Sequence, residues 1–235
     1  MPVALDQPPT YPVNLLVSGR PVLVVGGGRV AAHKVAGLRR AGAHVTVVAP
    51  RIEPALAGDA GLTCHRRPYS RGEVAGYRLA IACTDDPTVN AAVAADGEAA
   101  GVWVNSADDP ANCHFFLPAV AHRPPIQLAV STGGASPALA SWLRRRLEAE
   151  IDAHRLTDLA ALLAEVRAEL RTRSGTSEHG SWAAALDCGV AELVAAGDLQ
   201  GARHQLRHHL GLDGQPPPGP ETTGPGSDPT GAGSR

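Results

Sequence analysis

Three consecutive glycines between an apolar run and a helical pattern constrain this chain more than any other feature. The stretch from Pro21 to Lys34 reads P-V-L-V-V-G-G-G-R-V-A-A-H-K. Val22 to Val25 form a short run rich in β-branched residues, and the pattern from Val30 to Leu38 is that of a helix with small residues on one side. The stretch therefore predicts a strand, a tight turn and a helix.

The glycine turn also carries most of a nucleotide-binding fingerprint. Gly26, Gly28 and Ala31 occupy the first, third and sixth places of G-x-G-x-x-[GA]. In that pattern the glycines permit a sharp turn and the close approach of a pyrophosphate. The helix N-terminus adds partial positive charge and unpaired N–H groups. The pattern predicts a dinucleotide site, and the alternative is a structural turn that uses glycine for its backbone freedom.

The strand that follows departs from this fingerprint. His44 to Ala49 completes a βαβ unit and predicts a parallel sheet. NAD sites often end this strand with Asp or Glu, whereas Pro50 and Arg51 follow here. Arg51 is compatible with contact to a 2′-phosphate, with stacking on adenine, or with an ordinary solvated loop.

Two later strands end in polar residues at the carboxyl edge of the predicted sheet. The strand from Tyr77 to Cys83 precedes Thr84 and Asp86, which predict either a cofactor contact or an N-cap for the next helix. The strand from Val102 to Asn105 is followed by S-A-D-D-P. Either aspartate of that loop is a candidate for proton chemistry, and an ordinary turn is the alternative.

The pattern changes after residue 112. Two runs, Phe115 to Ala121 and Ile126 to Ser131, predict a hairpin outside the first sheet. The loop Ser131 to Pro137 precedes a helix from Ala138 to about Ile151, and such a loop either receives an anion or only caps the helix. The run Arg144 to Arg146 is either a solvated face or a site for a polycarboxylate.

Charge and cysteine spacing exclude several classes of function. The formal net charge of −2 argues against a nucleic-acid binder. The four cysteines form no C-x-x-C pair, which predicts free thiols rather than a zinc site or disulfides. His204 and His208 have the spacing of metal ligands, but an exposed helix face explains them without a third ligand, so no metal site is predicted. Without a long apolar run, we expect a cytoplasmic protein without a membrane segment.

Several motifs in fixed order resemble the siroheme synthase N-terminal family, which contains precorrin-2 dehydrogenases, some of them also sirohydrochlorin ferrochelatases. The likeness extends from about Tyr11 to Ile151. It is carried by V-V-G-G-G-R-V-A-A-H-K at 24–34, V-T-V-V-A-P at 45–50, A-C-T-D-D-P-T-V-N at 82–90, N-S-A-D-D-P at 105–110, F-L-P-A at 116–119 and V-S-T-G-G-A-S-P-A-L-A at 130–140.

The resemblance implies an α/β fold with an N-terminal Rossmann-type parallel sheet, a small β dimerisation segment and a C-terminal helical domain. It implies NAD as cofactor, a homodimer, and a tetrapyrrole substrate, with Fe²⁺ as a further substrate in members that are also chelatases. The expected domains are 1–112 for NAD binding, 113–137 for dimerisation, 138–212 for the helices and 213–235 for a disordered tail rich in Pro and Gly.

The resemblance also assigns residues to roles. Asp108 matches the family's catalytic aspartate, and Thr132 falls where some members have a serine that borders the substrate. The cofactor-binding residues expected on this basis and from the fingerprint are Gly26, Gly27, Gly28, Arg29, Val30, Pro50, Arg51, Thr84 and Asp86. The substrate-binding residues expected are Asn105, Arg123, Ser131, Thr132, Gly133, Gly134, Arg144 and Arg145.

The implied activity is NAD-dependent oxidation of precorrin-2 to sirohydrochlorin. An NAD(H)-sensing Rossmann module without turnover is the alternative from another functional class, since a fold alone permits either. An NADP-dependent reductase of another substrate is a third interpretation, and it depends only on Arg51.

Overall fold

The computed structural model describes residues 9–107, 109–174 and 182–213. Asp108 and the predicted disordered tail beyond Asp213 lie outside these residues. The strands are β1 Pro21–Val25, β2 His44–Val48, β3 Leu62–His65, β4 Leu79–Ala82, β5 Trp103–Ser106, β6 Ala119–Arg123 and β7 Ile126–Val130. The helices are α1 Arg29–Arg40, α2 Pro54–Ala57, α3 Pro87–Ala100, α4 Pro137–Ala153, α5 Leu156–Ser174, α6 Trp182–Ala185, α7 Ala191–Ala195 and α8 Leu199–His209.

The chain divides into two compact units. Unit 1 extends to Pro118 and includes Gly133–Ala135, and unit 2 comprises Ala119–Thr132 and the residues from Ser136 onwards. Unit 1 contains a five-stranded sheet in the order β3-β2-β1-β4-β5, in which every pair of neighbours is parallel. The prediction of a parallel sheet built from βαβ units is confirmed.

Strands β1 and β4 are buried on both faces, which explains why their residues are almost all apolar. Successive side chains point to opposite faces of a strand. Accordingly, Val22 and Val24 of β1 pack with Val35 of α1 in one cluster. Leu23 and Val25 pack in a second cluster on the other face.

Unit 2 combines a hairpin with helices. Strands β6 and β7 form an antiparallel pair in which Ala119 faces Val130 and Arg123 faces Ile126, and α4 contacts both strands. Leucines, valines and alanines of α5 to α8 form a separate apolar core. Among the helices described, none is long and apolar enough to span a membrane.

Two boundaries differ from those that the sequence predicts. The hairpin begins at Ala119 instead of Phe115, because Phe115 packs against the core of unit 1. Farther along, the apolar spacing from Trp182 to Ala196 predicts one helix, but a π-helical turn in which Gly189 has φ = 102° interrupts it. A left-handed glycine breaks the helical hydrogen-bond pattern there, although the apolar spacing continues on both sides.

A buried carboxylate ties the loop before β4 to α3. Asp96 is 8% exposed and accepts hydrogen bonds from the Tyr69 hydroxyl, the Arg71 guanidinium and the Gly72 amide. The hydrogen bond from Arg71 lowers the pKa of Asp96 from 3.8 to about 2. Burial and the hydrogen bond to Asp96 raise the pKa of Tyr69. No local sequence pattern predicts this network, because Asp96 is more than 20 residues from each of its three donors.

We expect Asp96→Asn to lower the free energy of unfolding by about 2–3 kcal/mol at neutral pH, because charged hydrogen bonds are lost in a buried site. Since folding lowers the pKa of Asp96, its stabilisation is complete above the ordinary value of 3.8 and is lost as the pH falls towards about 2. Thermal unfolding at neutral and acid pH measures this. The difference between parent and variant should shrink in acid, and an equal difference at both pH values would contradict the assignment. Asp85→Asn, at an exposed position just before the same helix, is the control.

Candidate functional site

Two predicted binding turns meet at the carboxyl edge of the sheet in unit 1. The chain order of the strands reverses at β1, which has β2 on one side and β4 on the other. Ligands of open α/β sheets bind in the crevice at such a reversal. The Gly26 amide donates to the Val48 carbonyl at 3.0 Å, and the Cys83 amide donates to the Val25 carbonyl at 2.8 Å. The glycine turn and the turn that begins at Thr84 therefore flank the same crevice.

The first two glycines of the turn are required by packing. Gly26 has φ = 128°, and a Cβ there would lie 2.5 Å from the Cys83 carbonyl oxygen. A Cβ on Gly27 would lie 2.1 Å from the Arg51 carbonyl oxygen. Both contacts are with backbone atoms, which have little freedom to move. These two positions exclude any side chain for structural reasons.

The third glycine has a different environment. Gly28 is the N-cap of α1, with φ = −91° and ψ = −168°, and nothing lies within 4 Å of a Cβ built on it. The first turn of α1 contains no acidic residue, and Arg29 and Val30 are exposed. An open glycine before unpaired N–H groups and without a competing carboxylate fits the phosphate of a dinucleotide.

The chain after β2 folds back onto the glycine turn. Pro50 and Arg51 are exposed, as expected for residues that border a ligand. The amide of Glu53 donates to the Gly27 carbonyl at 2.9 Å. No motif in the sequence singles out Glu53, and the only signal for it is that it is the first acidic residue after β2.

The turn after β4 is held by its own side chains. The Asp86 carboxylate accepts from the Thr88 amide at 2.8 Å and caps α3. The Thr84 hydroxyl donates to the Asn90 side-chain oxygen at 2.8 Å, and the Asn90 amide group donates back to the Thr84 carbonyl at 3.0 Å. The capping interpretation of this turn is confirmed, and contact of Thr84 and Asp86 with a cofactor stays a prediction.

The loop after β5 contains Asp108, which lies outside the described residues. On one side of Asp108, the Ser106 amide donates a hydrogen bond to the Cys113 sulfur at 3.2 Å. On the other side, the Cys113 thiol donates to the Asp109 carbonyl oxygen at 3.3 Å. The Asp109 carboxylate accepts from the Asn112 side chain at 2.6 Å. Cys113 therefore closes the base of the loop, and Asp109 shapes its turn.

Burial limits the chemical roles that are open to Asn105 and to two cysteines. Asn105 is 7% exposed, and its side chain donates to the Phe115 carbonyl at 2.9 Å, so it supports the returning chain. Burial raises the pKa of Cys83 to about 11 and also raises the pKa of Cys113. Both thiols are therefore protonated at neutral pH and are poor nucleophiles.

The predicted anion-binding loop lies before α4. The Thr132 hydroxyl accepts from the Ser136 amide at 3.1 Å, and the Ser136 hydroxyl accepts from the Leu139 amide at 3.1 Å. Gly133 and Gly134 have φ values of 57° and 80°, which glycine adopts without strain. Ser136 is thus the N-cap of α4, and capping is one of the two roles that the sequence allows for this loop. Ser131 is exposed, and substrate binding by Ser131 to Gly134 stays a prediction.

The predicted substrate-binding arginines differ in their partners. Arg123 makes two hydrogen bonds to Asp152, of 2.9 and 3.0 Å, which raise the pKa of Arg123 and lower that of Asp152. Arg144 donates to Glu148 at 2.6 Å. Within the described part of the chain Arg145 has no ion pair, and it is exposed. Arg145 is therefore the most available of these cations.

Comparison with known proteins relates this arrangement to one group of proteins. Residues 13–119 match the family described as "Putative NAD(P)-binding", and residues 123–150 match "Sirohaem biosynthesis protein central". The siroheme synthase of Methylobacillus flagellatus is 36% identical over 211 residues, which are 88% of this chain and 45% of that protein. The siroheme synthase of Nitrosococcus oceani is 40% identical over 204 residues, covering 85% of this chain and 43% of that protein. The chain thus spans less than half the length of these curated relatives.

One solved structure is closer in length to this chain than the siroheme synthases are. SirC, a precorrin-2 dehydrogenase, matches with a TM-score of 0.67 and 27% identity, over 84% of this chain and 98% of that chain. The two sequence matches cover the sheet of unit 1 and, in unit 2, β7 with most of α4. The order of these segments agrees with the resemblance seen in the motifs. This chain belongs to the siroheme synthase N-terminal family.

Proposed function

We propose that the protein oxidises precorrin-2 to sirohydrochlorin with NAD⁺. The observation that carries this proposal is the match to a precorrin-2 dehydrogenase over 98% of that chain. The open Gly28 at the N-terminus of α1, in front of a helix turn without acids, supports a nicotinamide dinucleotide at this position.

The residues of this chain bind and orient, and the cofactor supplies the oxidation chemistry. When bound, NAD⁺ provides a two-electron oxidant. The amides that follow Gly28 hold its phosphates, and Arg29, Val30, Pro50 and Arg51 border it. The hydrogen bonds between Thr84 and Asn90 hold the turn that borders the crevice.

The substrate is a polycarboxylate, so cations and hydroxyl groups are suited to bind it. Arg145 and the loop from Ser131 to Gly134 take this role. Arg123 and Arg144 support α4 through Asp152 and Glu148 and add positive charge. Asp108 accepts the proton that the macrocycle loses when it is oxidised.

The test of the proposal is an anaerobic incubation of the purified protein with enzymatically made precorrin-2 and NAD⁺. We expect the absorption spectrum of sirohydrochlorin and stoichiometric NADH. Tight binding of NAD⁺ without turnover would favour the NAD(H)-sensing module instead. Addition of Fe²⁺ or Co²⁺ in a second stage tests ferrochelatase activity, which requires metal insertion above the uncatalysed rate.

We further propose a homodimer formed through the hairpin. Two strands are too few to bury both faces of a sheet. Along β7 only alternate residues are partly buried, and Ala129 is exposed. A second copy of the hairpin would cover this face.

We expect sedimentation velocity to show a dimer at micromolar concentration and Ala129→Glu to shift it towards the monomer, because burial of an unpaired charge between two copies is costly. Ala36→Glu, at an exposed position of α1, is the matched control and should remain dimeric. A folded parent that sediments as a monomer would contradict the dimer.

A further inference from the structure

The end of β2 lacks the residue that usually distinguishes NAD from NADP. In most Rossmann sites an acidic residue at this strand end binds the ribose hydroxyls. Here β2 ends at Val48, and the chain continues A-P-R-I-E. Arg51 alone would favour a 2′-phosphate. The first carboxylate after the strand belongs to Glu53.

The backbone brings Glu53 to the glycine turn. Its amide donates to the Gly27 carbonyl at 2.9 Å. The two residues before Glu53 also lie close to Gly27. A Cβ on Gly27 would lie 2.1 Å from the Arg51 carbonyl oxygen and 2.9 Å from the Ile52 Cα. The segment from Arg51 to Glu53 is therefore packed directly against the turn that adjoins Gly28. An adenosine ribose beside this turn is within reach of a glutamate side chain.

The Glu53 carboxylate is available for a ligand. Glu53 is the N-cap residue of α2, yet its side chain makes no capping hydrogen bond. It is exposed, and within residues 9–107, 109–174 and 182–213 it takes part in no ion pair. Pro54 restricts the backbone before it to extended geometry, and Glu53 has φ = −55° and ψ = 145°. The backbone is thus held, while the carboxylate has no competing partner among the described residues.

We infer that Glu53 binds the adenosine ribose and makes the site select NAD⁺ over NADP⁺. The carboxylate accepts hydrogen bonds from the ribose hydroxyls, and it repels the 2′-phosphate of NADP⁺. Arg51 contributes to binding of the adenosine without reversing this preference. The inference depends on the proposed function only in that a nicotinamide dinucleotide occupies the glycine turn.

Calorimetric titration of the parent, Glu53→Gln and Glu98→Gln with NAD⁺ and with NADP⁺ tests this role. We expect the parent to prefer NAD⁺, and we expect Glu53→Gln to weaken NAD⁺ binding about tenfold, because charge-assisted hydrogen bonds to a ligand are lost. The affinity of the Glu53→Gln variant for NADP⁺ should rise or stay the same. The preference of this variant for NAD⁺ over NADP⁺ should therefore fall about tenfold or more. Glu98 lies near the C-terminus of α3, at the opposite edge of the sheet, and its variant should behave as the parent.

Three outcomes would overturn the inference. These are a parent that prefers NADP⁺, a folded Glu53→Gln protein with an unchanged preference, and a parent that binds neither dinucleotide. The first two leave dinucleotide binding intact and reject only the role of Glu53, whereas the third rejects the proposed function as well. Thermal unfolding of Glu53→Gln verifies that the variant is folded, which its exposed position predicts.

Discussion

Gly28→Asp is expected to abolish NAD⁺ binding while the protein remains folded. A Cβ at this position meets no atom of the described residues within 4 Å apart from its chain neighbours, and aspartate is a favourable N-cap residue for α1. The new carboxylate would occupy the space through which a pyrophosphate approaches the amides, and it would add a negative charge beside the phosphates. We expect a loss of affinity of about 100-fold or more, since the like charges repel in a site built from unpaired N–H groups.

The neighbouring glycine provides the structural contrast. Gly27→Ala should destabilise the fold strongly, because its Cβ would overlap the Arg51 carbonyl oxygen. Gly28→Ala should remain folded and lose only part of the NAD⁺ affinity, since a methyl group has no charge. Calorimetry with NAD⁺ and thermal unfolding of the three variants separate binding from stability. Tight NAD⁺ binding by a folded Gly28→Asp protein would show that the phosphates lie elsewhere.

Asp108→Ala is expected to lower the rate of precorrin-2 oxidation by about 10² or more, the usual contribution of a positioned acid or base. NAD⁺ affinity and thermal stability should be unchanged. The ends of this loop are held by Cys113 and by the turn at Asp109, so the loop does not depend on the Asp108 side chain for these contacts. Stopped or continuous assays of NADH formation measure the effect.

Asp109→Ala is the matched control for Asp108. Its carboxylate accepts from Asn112 inside the turn, so its loss should affect oxidation much less. Equal oxidation rates for Asp108→Ala and the parent would reject the catalytic assignment. The same variants with sirohydrochlorin and Fe²⁺ or Co²⁺ determine whether metal insertion depends on Asp108. A parent that oxidises precorrin-2 without inserting metal would reject only the ferrochelatase activity.

The parts of the site that the sequence predicted are those that depend on neighbouring residues. The glycine turn, α1 and the caps at Asp86 and Ser136 each involve residues within a few positions of one another. Their residue types directly favour these conformations. Strands β1 and β4 were predicted for a similar reason, because burial on both faces requires a continuous apolar run.

Other features depended on residues far apart in the chain. Phe115 has the composition of a strand residue, yet it packs on unit 1 and the hairpin begins later. Arg123 looked as available as Arg145, but Asp152 of α4, 29 residues further along the chain, pairs with it. The sequence predicts the charge of Arg123, and only the packing determines that Asp152 neutralises it.

The amino-acid sequence by itself determined the parallel sheet, the order of its strands and helices along the chain, and the position of the glycine turn. Only the tertiary structure decided which glycines serve packing and which one is open, and which acidic residue stands beside the turn. Local patterns report the conformational preferences and the burial of a segment. The approach of Glu53 to Gly27, and of Arg51 to the same residue, results from the path of the backbone between separate elements, and such a path has no local signature.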